Sequence, residues 1–253
     1  MPGCILRGCG IESPALRQGI LRIVSPLRIS IILPVLNEVT ALQQYLPFLQ
    51  EARAAGHEVI VVDGGSRDNG PVLAAPLADR VLVTEPGRAR QMNAGAAVAT
   101  GDVLLFLHID TRLPTGAVTL LQQHFAQRAV QWGRFDVQLS GAHPAFRIIE
   151  TMINLRSRVS GVATGDQALF LRAALFRELG GFPAVPLMED VAITKTLRGL
   201  SRPLCLRERV VTSSRRWEKH GIARTVLLMW WLRLLYVLGV SPERLHSMYV
   251  KKK

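Results

Sequence analysis

The sequence predicts an α/β fold: a mostly parallel central sheet flanked by helices. Three observations carry this. Apolar runs such as "ISIILPV", "EVIVVD" and "DVLLFL" lack polar alternation, as strands covered on both faces do. Segments with apolar residues at helical spacing separate these runs. Two runs lead into carboxylates, Asp63 and Asp110, at the strand ends where open α/β sheets hold ligands. With 253 residues, 49 % hydrophobic and 20 % charged, the chain can bury a sizeable core.

The first strand lies within residues 28–38, where Pro34 and then Asn37-Glu38 close a β-branched run. Residues 40–55 place Leu42, Tyr45, Leu46, Leu49 and Ala52 at helical spacing, stopped by Gly56. Strand two, in 57–70, runs into the Gly- and Asp-rich loop "DGGSRDNG", and strand three lies in 78–87. The Ala-rich stretch 88–101 suits a helix, "DVLLFLHIDT" (102–111) a fourth strand and 115–129 another helix. The second half reads as a strand at 132–141, a helix at 145–160, a short strand at 168–172 and a helix at 173–179 ended by Gly180-Gly181. A helix at 186–201 with Glu189 and Asp190 in its first turn and a strand at 207–217 follow. The expected organisation is an N-terminal extension (1–27), one continuous domain (28–218) and a basic, amphipathic C-terminal helical segment (219–253).

The net charge of +12 and pI near 10.7 suit an anionic partner. Cys4, Cys9 and Cys205 are too few and too scattered for a disulfide framework, which points to a reducing compartment. Arg7, Glu12, Arg17 and Arg22 break any apolar run that could serve as a signal peptide, so a cytoplasmic protein is expected. The stretch "VLLMWWLRLLYVLGV" (226–240) is shorter than the roughly 20 residues of a spanning helix and contains Arg233. Its Trp230, Trp231 and Tyr236, with flanking Arg and Lys, allow a helix lying on the inner face of an anionic membrane; a buried helix is the equal alternative.

Several residues can carry chemistry. Asp63 and its glycines can bring backbone and carboxylate close to a base or ribose, or simply turn the chain. In a strand, His108 and Asp110 would share one face, and a carboxylate with phosphate oxygens is a common Mg²⁺ or Mn²⁺ site, imidazole favouring Mn²⁺. A satisfied imidazole beside a turn Asp is the alternative. Arg88, Arg90 and Asn93 open a helix, where phosphate is favoured. Glu189-Asp190 sits between apolar residues, a setting suited to a general base, though acids also complement a helix dipole. Asp166 precedes a strand, while Arg215, Arg216 and Trp217 end the last one and could face a leaving diphosphate or acidic lipid. No G-x-G-x-x-G follows the first strand and no G-x-x-x-x-G-K-[ST] occurs, so dinucleotide and P-loop readings fall away.

Taken in order, "PVLNE", "VVDGGSRDNG", "GRARQMNAGAAVATGD", "LLFLHIDT", "GDQALFLRAALFRELGGFP" and "MEDVAITKTLR" resemble family 2 glycosyltransferases of the GT-A (nucleotide-diphospho-sugar transferase) fold, over about residues 29–217. The "SSRRWEKHG" ending and the tail resemble a bacterial subgroup named for arsenosugar biosynthesis or association with radical-SAM proteins. The resemblance implies a metal-dependent, inverting transfer of one sugar from a nucleotide-diphosphate sugar, often a UDP-sugar, to an acceptor hydroxyl. It implies that Pro34, Asn37 and Glu38 border the nucleotide pocket and that Asp63 bonds the base. Arg88 and Asn93 would lie along the nucleotide, and Asp110 would hold Mn²⁺ or Mg²⁺. Asp190 would be the catalytic base.

Two departures stand out. The family's Asp-x-Asp reads His108-Ile109-Asp110, which keeps the final Asp and makes His108 a second candidate ligand. The Gln-x-x-Arg-Trp of processive synthases reads Ser213-x-x-Arg216-Trp217, which leaves Arg216 as a candidate for the diphosphate and fits a single-addition enzyme. A sugar-phosphate nucleotidyltransferase would need a glycine-rich loop after the first strand, and "LPVLNEVT" has no glycine. A non-enzymatic basic protein on a membrane surface would not explain carboxylates at two strand ends. Nucleic acid is not expected as a partner, because basic and aromatic residues do not interleave outside the tail.

Overall fold

The computed structural model describes residues 27–251; the extension expected over 1–27, with Cys4 and Cys9, lies outside them except for its last residue. Eight strands are described: β1 (Ile29–Val35), β2 (Glu58–Asp63), β3 (Arg80–Val83), β4 (Val103–Phe106), β5 (Thr111–Arg112), β6 (Trp132–Leu139), β7 (Phe170–Arg172) and β8 (Leu204–Thr212). They form one sheet in the order β3-β2-β1-β4-β7-β6-β8-β5. The half built from β1 to β4 is parallel, with β1 between β2 and β4. Beyond β4 the sheet is mixed: β7 runs antiparallel to both neighbours, β6 pairs with β8 in parallel, and β5 caps the edge antiparallel to β8.

β1 and β2 are buried almost throughout, which is why they read as unbroken apolar runs. One face of the sheet packs Ile31, Leu33, Val59, Val61 and Leu105 toward the helical segments between Val39 and Ala54. The other packs Ile32, Ile60, Val62, Leu104 and Phe106 toward the helix Arg88–Val98. Pro34 is tolerated inside a central strand for a register reason. Ile32 accepts from Leu107 on the β4 side and Val35 accepts from Gly64 on the β2 side. Alternation therefore turns Pro34 toward β4, beyond the last bond of that ladder, where no donor is needed.

Three expectations are corrected. The helix expected over 40–55 breaks into Val39–Tyr45, a 3₁₀ turn Leu46–Leu49 and Gln50–Ala54, because Pro47 removes a donor in mid-run. The strand expected over 102–111 ends at Phe106, so His108 and Asp110 lie on a turn closed by Thr111 N–H donating to the His108 carbonyl at 3.0 Å. Strand alternation therefore does not bring them together. The last strand ends at Thr212, and Arg215, Arg216 and Trp217 begin a helix, Arg215–His220, rather than ending that strand.

The C-terminal segment is helical over Ile222–Val237 and Pro242–Lys251. Ile222–Val237 is apolar around most of its circumference and amphipathic only in what it covers. Leu232 is buried with Met188, Val191 and Leu245, while Trp230 and Trp231 stay exposed. No helix of the described residues is long and apolar enough to cross a membrane.

Candidate active site

The candidate site, a cleft, gathers at the carboxyl end of β4, beside the loops that follow β1 and β2. Asp63, the last residue of β2, is 1 % exposed and anchors its own loop. Its carboxylate accepts from the amides of Gly65 (2.9 Å) and Ser66 (2.8 Å) and from the Ser66 hydroxyl. Gly65 takes φ +83°, a left-handed turn that suits glycine. Asn37, itself left-handed, ties the β1 loop to this one: its amide donates to Ser66 Oγ at 2.7 Å and its Oδ1 accepts from Arg67 N–H at 2.8 Å. Glu38 follows and pairs with Arg215 at 3.2 Å, bringing the C-terminal segment to the same rim.

The helix Arg88–Val98 points its N-terminus at the cleft. It lies close to the sheet because Gly95 faces Ile32 and Val62, where a Cβ would meet Ile32 Cγ2 at 2.5 Å. Gln91 fastens it, its amide donating to the carbonyls of Val35 (2.7 Å) and Val62 (2.8 Å) at the ends of β1 and β2. Asn93 is occupied on the far side, where it exchanges two hydrogen bonds with the Phe182 backbone. Arg88, half exposed, reaches 3.8 Å from the buried carboxylate of Glu189.

His108, Asp190, Arg88 and Gly165 line one cleft together with Phe106 and Phe182. Met188, left-handed at φ 68°, turns the chain so that Glu189 and Asp190 open the helix Glu189–Leu200. Asp190 accepts from Gly165 N–H on Oδ2 and Val191 N–H on Oδ1, both at 2.7 Å. Burial and then the Glu189 charge push its carboxyl up to about 6, against these two hydrogen bonds and Arg88. Burial, then Arg88 and Arg216, hold the His108 imidazole well below its ordinary value, so it is neutral at pH 7. Asp110 is pushed up by burial and then by the Glu38 carboxylate, against Arg215 and Arg88. Arg216 lays its guanidinium over the Tyr249 ring, 5.5 Å from its centroid.

His108 and Asp110 offer one neutral imidazole and one carboxylate, and no cluster of three such groups able to hold a metal occurs among the described residues. Two protein donors fit a hard cation that takes its other oxygens from a phosphate and water. The mutual repulsion of Asp110 and Glu38 is what a cation there would relieve.

The expected residues separate into those facing the cleft (Arg88, His108, Asp190) or its charged rim (Glu38, Asp110, Arg216), and those whose side chains are spent on loop and helix contacts (Asn37, Asp63, Asn93). Gly165 and Gln91 went unremarked in the sequence. Gly165 is required twice: its amide holds Asp190, and a Cβ there would meet His108 Nε2 at 2.6 Å. The glycine before Asp166 was the available signal; Gln91 gave none beyond being a polar residue in an Ala-rich helix.

The Glycosyl transferase family 2 profile matches residues 30–176, more than half of the chain. A PGL/p-HBAD biosynthesis glycosyltransferase of Mycobacterium bovis BCG is 35 % identical over 91 residues, 33 % of this chain and 36 % of that one. An uncharacterized protein of Mycobacterium tuberculosis is 33 % identical over 107 residues, 40 % of this chain and 34 % of its own. The matches thus span about a third of the length of these curated relatives. Among solved structures, the mannosyltransferase PcManGT from Pyrobaculum calidifontis, in complex with GDP-Man and Mn²⁺, superposes with a TM-score of 0.57 at 20 % identity, over 74 % of this chain and 57 % of that one. Glucosyl-3-phosphoglycerate synthase from Mycobacterium tuberculosis, in complex with Mg²⁺ and UDP, gives 0.54 at 17 %, over 74 % and 70 %. At these identities the likeness is one of fold, and the fold is the GT-A type. With that architecture and a profile match over most of the sheet, the chain belongs to glycosyl transferase family 2.

Proposed function

We propose that the chain transfers a single sugar from a nucleotide-diphosphate sugar to an acceptor hydroxyl with inversion. The observation that carries this is Asp190: a carboxyl raised to about 6, fixed by two backbone amides, in one cleft with His108 and Arg88. Such a group is ionised near neutral pH yet basic enough to take a hydroxyl proton. As Asp190 removes that proton, the acceptor oxygen attacks the anomeric carbon. The bond to the diphosphate breaks on the opposite face, and its electron pair leaves with the diphosphate. Arg88, with Arg215 and Arg216, offsets the charge that develops there.

Pro34 and Glu38 would border base and ribose, with Asn37 and Asp63 shaping the loops behind them and Asn93 supporting the helix that carries Arg88. Asp110 and His108 would hold Mn²⁺ or Mg²⁺, which when bound neutralises charge on the diphosphate. A UDP-sugar is the favoured donor. The names of the structural neighbours support donor and metal in kind: one is recorded with GDP-Man and Mn²⁺, another with UDP and Mg²⁺. The "SSRRWEKHG" ending supports a place near the arsenosugar and radical-SAM-associated subgroup, and the exposed tryptophans support a peripheral seat of the C-terminal segment on an acidic membrane.

The test is a thermal-shift series with UDP, GDP and their sugars, with and without Mn²⁺, because a ligand that binds only the folded state raises the melting temperature. A shift needing both nucleotide and metal is expected, and Asp110→Ala should lose that metal-dependent shift. Asp190→Asn should keep the shift and lose transfer by about 10²–10⁴-fold. Full transfer by that variant would remove Asp190 as the base.

A further inference from the structure

The helix Pro144–Ser160 buries Phe146, Ile149, Asn154 and Ser157 against the sheet. Its other side carries Ile148, Met152, Leu155 and Val159, an apolar stripe at intervals of four, three and four residues. These side chains remain exposed, from 45 % at Met152 to 82 % at Val159. Nothing among the described residues covers them. A stripe of this kind on a long surface helix is the pattern of a face awaiting a partner.

A second such stripe lies beside it. On the helix Ile222–Val237, Leu227, Trp230, Trp231, Leu234 and Val237 are exposed, opposite the side that packs on Met188 and Val191. The two helices meet at one cluster, in which Ile153, Ile222 and Val226 pack against buried Leu139, Phe146 and Ile149. By helical spacing the exposed stripe on each helix lies next to the residues that join this cluster, which sets the two stripes on adjoining sides of the same junction.

Charge selects the occupant. Between Arg215 and Lys251 the chain has seven Lys or Arg against two Glu. Arg147 and Arg158, each paired with a carboxylate, and Arg224 are exposed on these two helices, and Lys219 on the short helix Arg215–His220 before the second. A second copy would bring another +12 against this face. An acidic bilayer offers the opposite charge and an apolar layer at one surface. Paired tryptophans favour that boundary, and neither helix is long and apolar enough to enter further.

We infer that the helix Pro144–Ser160 and the helix Ile222–Val237 form one composite face that docks on an acidic phospholipid bilayer. This rests on the reading of the C-terminal segment as membrane-seated and extends it to a helix of the catalytic domain. The bilayer then holds the domain at two fixed lines, which sets its orientation, where a tail alone would act as a tether.

The experiment is sedimentation of the full chain with vesicles of phosphatidylcholine plus phosphatidylglycerol and with vesicles of phosphatidylcholine alone. Binding to the acidic vesicles is expected to be stronger. Leu155→Asp/Val159→Asp should weaken it about tenfold or more, with the melting temperature and the nucleotide-induced shift unchanged. Leu155→Ser/Val159→Ser serves if the acidic pair perturbs folding, and should weaken binding in the same direction. Trp230→Ser/Trp231→Ser reports on the C-terminal line separately. If that variant loses binding while both Leu155/Val159 variants retain it, the composite face is refuted and the C-terminal seat survives. If the wild type ignores acidic vesicles, both fall. A concentration-dependent dimer broken by Leu155→Asp/Val159→Asp, without vesicle binding, would make a second copy the occupant and overturn the proposal.

Discussion

Asp190 is held in a state that costs stability and suits the base proposed for it. Its carboxyl is raised from 3.8 to about 6, so between those values the folded chain binds a proton that the unfolded chain releases. Stability therefore falls as pH rises through that window, and at pH 8 the native state carries a buried charge. If Asp190 is the base, transfer uses its ionised form, and the rate should drop as pH falls through about 6, with a one-proton slope. Asp190→Asn keeps the shape and removes the charge. At pH 8 it should be more stable than the wild type by on the order of 2 kcal/mol in urea unfolding, and the gain should vanish near pH 4. Equal stability at both pH values would mean that Asp190 is solvated and not tuned.

At the scale of elements, the helix Arg88–Val98 sets the depth of the cleft, and Gly95 sets how close that helix rides on the sheet. Gly95→Ala adds helix propensity worth up to about 1 kcal/mol. The new Cβ would also meet Ile32 Cγ2 at 2.5 Å and Val62 Cγ2 at 3.0 Å, both on stiff β-branched side chains. Overpacking of this kind costs about 1–3 kcal/mol, so a net loss is expected. Gly199 on the helix Glu189–Leu200 is the control, since nothing lies within 4 Å of a Cβ there. Gly199→Ala should stabilise by about 0.5–1 kcal/mol. The same sign at both positions in chemical denaturation would show that the helix Arg88–Val98 is not in contact at Gly95. The glycine in "NAGAAVATG" looked merely helix-compatible in the sequence; its close approach to β1 depends on a residue 63 positions away and is visible only in the fold.

Over the whole molecule, legibility follows the range of the interaction that fixes each feature. The buried parallel strands could be read because burial on both faces is written in each run, and Asp190 because an acidic pair between apolar residues is local. The strand at β7 was legible but its antiparallel seating was not, and the turn that carries His108 and Asp110 and the helix that begins at Arg215, which depend on contacts across the chain, read locally as strand. The charge is a property of the whole, and it was legible from composition alone. Arg88, Arg215 and Arg216 gather around the cleft of a chain with net charge +12, so a nucleoside diphosphate should be drawn in by a field extending past its contacts. Screening shortens that field from about 10 Å at 0.1 M salt to about 3 Å at 1 M. The Kd for UDP, measured by titration calorimetry with Mn²⁺ fixed, should therefore rise several-fold over that range, mostly through slower association. Arg88→Gln should both flatten the salt dependence and weaken binding at every salt concentration. A Kd indifferent to salt would mean that short hydrogen bonds alone hold the diphosphate.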